Sequence, residues 1–277
     1  MSARIALRRA MALLCLAVLP ITALAQSADK PFTPMVGMSG KDVSWVPVSP
    51  VMMNKMMELA KVGPGDVVVD LGSGDGRMVL NAARHGANGI GVELNADMVK
   101  YSRTQAEKEG FADRTRFVTQ DLFAFDLNHA SVITLFLSSV INMKLRPAIL
   151  NLKPGTRIVG NTFTMGDWQH DDIVRVDGRP GCNFNCEAYL WVVPARVAGT
   201  WQLRNGQLKL EQRFQMLTGT MSAGGATVAV EGRVRGDQIS ITAPAVEFTG
   251  RVAGMEMGGT VKINGVPNGW NAAFVGH

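Results

Sequence analysis

Hydrophobic spacing changes character three times along this chain. Ala10 to Leu24 form an apolar run broken only by Pro20 and Thr22, with basic residues ahead of it. Residues 26–44 carry Pro31, Pro34, Gly37 and Gly40 with little periodicity and read as a linker. From Ser49 to Val193, short apolar runs alternate with stretches of helical period. Ser49-Pro50 opens a helix whose stripe is Met52, Met53, Met56, Met57 and Leu59-Ala60; Ser at the cap and Pro in the first turn suit a helix start. Methionines at this spacing read as adaptable core filler. Strands are expected at Val67–Val69, Gly89–Val92, Arg116–Val118, Ser131–Leu137 and Arg157–Gly160. Helices are expected at Arg77–His85, Ala96–Glu109 behind Asn95, and Asn142–Leu152. That alternation predicts a doubly wound parallel sheet, Rossmann-like in layout. Ile173–Val176 and Ala188–Val193 add a hairpin around a Gly/Pro/Cys-rich loop.

Beyond Pro194 the period drops to two. Leu208, Leu210 and Phe214 share one face of a run, and Lys209, Glu211 and Arg213 the other. Further runs occupy Thr227–Val234, Gln238–Thr242, Ala245–Phe248, Thr260–Ile263 and Trp270–Val275, punctuated by glycines. Six short strands at about ten-residue spacing predict a small all-β domain, a barrel or a sandwich. The organisation expected is therefore a leader at 1–25, a linker at 26–44, an α/β domain at 45–194 and an all-β domain at 195–277.

Arg4, Arg8 and Arg9 precede the first apolar run, and Ala23-Leu24-Ala25 follows it with small residues at the cleavage positions. This order is that of a secretory signal, and the run falls short of the roughly 20 residues that cross a bilayer comfortably. Export to a periplasmic or extracellular space, with cleavage after Ala25, is the expectation; membrane association would follow only from an uncut leader. Without those three arginines the formal charge falls from +5 to near +2, and no basic stripe with interleaved aromatics remains, so nucleic acid is not an expected partner. Cys182 and Cys186 are left as a close pair. A small-loop disulfide, two free thiols and half of a metal site all stay open, although the scattered histidines supply no further ligands and no metal is expected.

The candidate chemistry begins at Val67-Val-Val-Asp70-Leu-Gly72-Ser73-Gly74-Asp75-Gly76-Arg77, where a strand turns through glycines into a helix. The spacing is G-x-G-x-G, not the G-x-G-x-x-G that suits a pyrophosphate. Asp70 ends the first strand, Glu93 the second, and Asp121-Leu122 follows the third. Three carboxylates at successive strand ends match, in order, the amine, ribose diol and adenine amine of S-adenosyl-L-methionine (SAM). Asp70, Gly72, Ser73, Gly74, Asp75, Gly76, Glu93, Asp121 and Leu122 are the candidate cofactor residues. Each carboxylate alone would equally suit a cap or a turn.

With Trp45-Val-Pro-Val-Ser-Pro50, Leu59-Ala-Lys-Val-Gly-Pro-Gly-Asp66 and Leu152-Lys-Pro-Gly-Thr-Arg157, the stretch from Trp45 to about Trp168 resembles class I SAM-dependent methyltransferases. More narrowly, it is similar to the protein-lysine methyltransferases whose animal members act in mitochondria. The resemblance implies methyl transfer from SAM to a protein lysine. Trp45 stands where that family usually has Tyr, and Leu137-Ser138-Ser139 where it tends to have a Leu-Pro-Glu-like turn. Trp45, Ser138, Ser139 and Asn142 are the acceptor-side candidates, and no residue stands out as a catalytic base. The other reading to test is an exported scaffold: a non-catalytic methyltransferase fold carrying a ligand-binding β domain.

Overall fold

The computed structural model describes residues 32–41, 43–176, 182 and 184–277. The leader, its cleavage site and the start of the linker lie outside the described residues. Residues from Phe32 to His277 form one compact unit.

Helix α1 (Pro50–Leu59) starts as its sequence requires: Ser49 is extended, and its Oγ accepts the Met52 N–H at 3.3 Å. Its four methionines are buried against the sheet. There follow β1 (Val67–Leu71), α2 (Arg77–Arg84), β2 (Asn88–Glu93), α3 (Ala96–Lys108), β3 (Thr115–Thr119), β4 (Val132–Leu135), α4 (Ser139–Ile149), β5 (Arg157–Asn161), β6 (Asp172–Arg175) and β7 (Glu187–Val192). They build a seven-stranded sheet in the order β3-β2-β1-β4-β5-β7-β6. The first five strands are parallel, and β7 runs antiparallel to both β5 and β6. One face buries α1 with Val68, Val132 and Val159; the other buries Ile141, Leu145 and Ile149 of α4 with Ile133, Leu135 and Ile158. Strand order reverses between β1 and β4, which opens a crevice at the carboxyl ends of the strands.

Helix α4 begins three residues earlier than its apolar spacing suggests. Ser138 is its cap, accepting the Ile141 N–H at 3.4 Å. Strand β4 is shorter than expected, ending at Leu135, although Ser131 ahead of it still bonds through its backbone to Val67 and Arg157 and its Oγ accepts from the Val67 N–H and donates to Asp66.

The C-terminal region comprises β8 (Gly199–Leu203), β9 (Gly206–Arg213), β10 (Met216–Ala223), β11 (Ala226–Arg235), β12 (Gln238–Ala243), β13 (Val246–Ala253), β14 (Glu256–Ile263) and β15 (Val266–Gly276). Each strand pairs antiparallel with its successor, and β15 pairs with β8 to close a barrel. The architecture is thus a barrel, with two strands beyond the six apolar runs, β8 and β10. Trp201, Leu208, Leu210, Leu217, Ile239, Ile241 and Phe248 fill its interior, while Gln207, Lys209 and Glu211 face out.

The barrel is fixed to the sheet by specific contacts. Phe214 stacks on Trp168 with centroids 6.0 Å apart, and Arg233 reaches the buried Asp171 at 2.6 Å. The Ala195 N–H donates to the Gly236 carbonyl. Between β6 and β7, Cys182 and Cys186 are joined by a disulfide.

Candidate functional site

The three acidic strand ends converge. Asp70, Glu93 and Asp121 line one cavity at the carboxyl edge of the parallel strands, together with Gly72, Ser73, Asp75, Asn95, Gln120 and Leu122. Parallel register dictates this: β1 is flanked by β2, and β2 by β3, so their ends emerge side by side.

Asp70 is buried on β1 and receives a hydrogen bond from Thr134 Oγ1 at 2.5 Å. Burial pushes its carboxyl up to about 7; the Thr134 bond opposes the shift, and the charges of Asp75 and Glu93 add to it. No lysine or arginine pairs with it among the described residues. A buried carboxylate in that position gains most from a cationic ligand. Glu93 bridges two loops: Oε2 accepts from the Gly74 N–H at 3.0 Å and Oε1 from the Asn95 N–H at 2.9 Å. Each oxygen keeps a further lone pair for a donor. Asp121 caps a single turn, accepting the Phe123 N–H at 2.9 Å, and Lys41 Nζ meets its other oxygen at 2.8 Å. Lys41, then the Phe123 N–H, holds its carboxyl below the usual range.

The glycine turn is shaped by what touches it. The Gly72 and Ser73 N–H groups both donate to the Val92 carbonyl, at 2.8 and 3.0 Å. Gly74 lies under the Trp45 indole, which a Cβ at that position would strike. Gly76 has φ of +80° and backs onto Ser102 and Phe117, so a side chain there would meet both strain and collision. Ser73 Oγ is buried without a partner beside the cavity. Asp75 does not face the cavity as a free acid; Arg77 clamps it through Nε and Nη2 at 2.7–3.0 Å. The same guanidinium lies 5.9 Å from the centroid of the Trp45 ring.

The segment read as linker contributes directly. Met38, Ser39, Gly40, Lys41, Val43 and Ser44 line the cavity with Trp45. Paired backbone bonds between Gly37 and Trp45 and between Trp45 and Met38 fold this strap back on itself. Of the acceptor-side candidates, Trp45 is in the cavity wall. Ser138 is engaged as the α4 cap, and Ser139 is exposed on the first turn. Asn142 is buried and turned to the chain after β5, its amide donating to the Phe163 carbonyl at 3.1 Å. Sequence reasoning missed Lys41 and Thr134. Lys41 sits in an aperiodic stretch and gave no signal, whereas Thr134 is the one hydroxyl in the apolar run Val132–Leu135. The remaining wall is apolar: Val48, Met56, Phe136, Leu137 and Ile141.

A curated protein-lysine N-methyltransferase from Saccharolobus islandicus is 34% identical over 154 residues, covering 54% of this chain and 94% of its own length. The chain belongs to this protein-lysine N-methyltransferase family. The family model of the ANTKMT methyltransferase domain matches residues 70–172, from the tip of β1 to the start of β6, and ends before the barrel. An adenine nucleotide translocase lysine N-methyltransferase from Mus musculus is 32% identical over 129 residues, 46% of this chain, and the match spans only 56% of that enzyme. Among solved structures, an RNA methyltransferase from Salinibacter ruber in complex with S-adenosyl-L-homocysteine is 42% identical. It covers 55% of this chain and 96% of its own, with a TM-score of 0.51. The methyl donor of this methyltransferase is SAM.

The residues present fit that donor on the structure's own terms. A buried carboxylate lacking a cation, an unpartnered serine hydroxyl and a turn held in left-handed backbone surround one concave space.

Proposed function

We propose that this methyltransferase modifies lysine ε-amines of a protein outside the cytoplasm, holding SAM between Asp70, Glu93 and Asp121. One observation carries the reading: the three acids stand at adjacent strand tips around a single cavity. In the proposal Asp70 takes the amino-acid ammonium, Glu93 the ribose hydroxyls and Asp121 the adenine side, with Leu122 against the base. The Gly72–Gly76 turn permits close approach of the backbone. Lysine as acceptor is supported by the names of the relatives. Export is supported by the leader and by the Cys182–Cys186 bond, since disulfides persist in oxidising compartments.

SAM supplies a methyl carbon already activated by its sulfonium, so the chain's own work is positional. Trp45, Val48, Met56, Phe136 and Ile141 form an apolar wall that excludes water. An incoming lysine ammonium loses hydration against that wall, which lowers its pKa and favours the neutral amine that reacts. Trp45 is itself held by Arg77, which Asp75 fixes.

The test uses tritiated SAM with envelope proteins from a strain lacking this chain. Label released as methylated lysine, with none in the RNA of the same extract, is the expected result. Label in RNA alone, or in no macromolecule, would contradict the acceptor. The intact mass of the native protein checks export: a chain beginning at Gln26 is expected, and one beginning at Met1 would contradict cleavage.

A further inference from the structure

The donor reading leaves one side of the cavity unassigned. Asp70, Glu93 and Asp121 belong to β1, β2 and the turn after β3, whereas β4 lies on the opposite side of β1. The cavity wall on that side is Phe136, Leu137 and Ile141. Phe136 directly follows β4, is half-buried, and stacks on Phe163 with centroids 6.1 Å apart and planes 28° from parallel.

Phe163 sits on a corner tied from two directions. From α4, Asn142 Nδ2 donates to the Phe163 carbonyl at 3.1 Å and to the Thr164 carbonyl at 3.4 Å. From β7, the Glu187 carbonyl accepts the Thr162 N–H at 2.9 Å and Asn161 Nδ2 at 2.7 Å. The corner is also strained. Thr162 has φ of +65°, a conformation that its branched Cβ resists. Among the described residues, two of the five buried side-chain atoms without a partner are Thr162 Oγ1 and Asn142 Oδ1. Such strain and such unsatisfied groups persist only where neighbouring contacts over-determine them, and they gather at functional sites. This corner meets the cavity wall through the ring pair.

We propose that the acceptor lysine lies along the Phe136 ring, and that Phe163 is the positioning residue that fixes that ring. A lysine side chain brings an apolar stem and a polar tip. A phenylalanine suits both: the stem is buried against it, and an arriving ammonium is drawn to its face until the proton leaves. The ring stands across β1 from Glu93 and Asp121, so an amine laid along it approaches the donor from the side those acids leave open. With Phe163 stacked behind it, Phe136 keeps one orientation, as alignment of two reacting groups demands. The inference rests on the donor and lysine readings above and deepens them by naming the acceptor contact.

Two analogues of SAM with nitrogen in place of sulfur test it. One carries a methyl group on that nitrogen. The other carries a 2-(butylamino)ethyl arm, whose secondary amine replaces the substrate nitrogen and whose butyl group replaces its stem. The ratio of their dissociation constants, measured by calorimetry on the purified chain, isolates the arm, because a general loss of donor binding cancels. Wild type should favour the arm by at least about tenfold, as burial of a butyl group against a ring implies. Phe136→Ala should bring the ratio to about one. Should that variant fail to fold, Phe136→Leu, which keeps apolar bulk without the ring, should lower the ratio by about threefold. Phe163→Ala should lower it by about threefold as well, and Phe163→Tyr, which can still stack, should restore it. Wild type binding neither analogue contradicts the donor reading and this proposal with it. Equal binding of both overturns the proposal alone, and leaves the lysine reading to the labelling experiment above. A ratio unchanged in Phe136→Ala overturns the contact, and one unchanged in Phe163→Ala overturns the positioning role.

Discussion

The sheet and the barrel treat buried polar groups in opposite ways. Among the described residues, the buried side-chain atoms without a partner are Ser73 Oγ, Asn81 Nδ2, Asn142 Oδ1, Thr162 Oγ1 and Trp168 Nε1, all in the sheet region. Barrel strands turn their polar residues outward, and the buried Gln215 beside them is satisfied by the Gln169 carbonyl at 2.7 Å. Of these five, Ser73 lines the donor cavity, as expected where a site leaves a polar group open for its ligand. Asp70 is the clearest case, a carboxylate buried without a cation.

The largest expected effect falls on the barrel. Trp201→Ala removes a fully buried ring from the barrel interior and should cost about 3–5 kcal/mol of stability, as large-to-small core changes do. Thermal unfolding would show it, and affinity for S-adenosyl-L-homocysteine at 25 °C should stay within about twofold if the division of labour holds. Glu93→Ala should do the reverse. Loss of two backbone bonds and the proposed ribose contact should weaken binding by about 100-fold, near 2.7 kcal/mol, with a smaller change in melting.

Proton linkage gives the next effect. Asp70 titrates near 7, and a cationic amino group binds its ionised form. Below that pH a proton must leave on binding, so affinity for SAM should fall about tenfold per pH unit between 7 and 5 and level off above 8. A profile flat from about pH 5.5 to 8.5 would contradict Asp70 as the ammonium partner. Lys41→Ala should be smallest: its pair with Asp121 is solvent-exposed, so affinity should drop by no more than about fivefold.

How much of this was legible in the residues follows the same division. The parallel sheet announced itself through apolar runs, and its acids through their place at strand ends. The barrel was half legible: β9 alternates cleanly, but β10 reads Met-Leu-Thr-Gly-Thr-Met-Ser-Ala with only Leu217 fully inside, and β8 is five residues with one buried ring. Closure by β15 onto β8 depends on contacts about seventy residues apart, which no local pattern records. At the site, Lys41 was invisible because its role comes from a strap folded by backbone bonds, not by periodicity. The α4 boundary was misjudged by weighing apolar spacing above the cap at Ser138.

Calorimetric titration of S-adenosyl-L-homocysteine into the purified chain and into Asp70→Ala addresses the core of the account. One saturable site in the wild type is predicted, with at least about 100-fold weaker binding in a variant that still unfolds cooperatively at a similar temperature. Equal affinity in both proteins, or no heat from the wild type at millimolar ligand, would mean that the acid at the tip of β1 does not hold the donor.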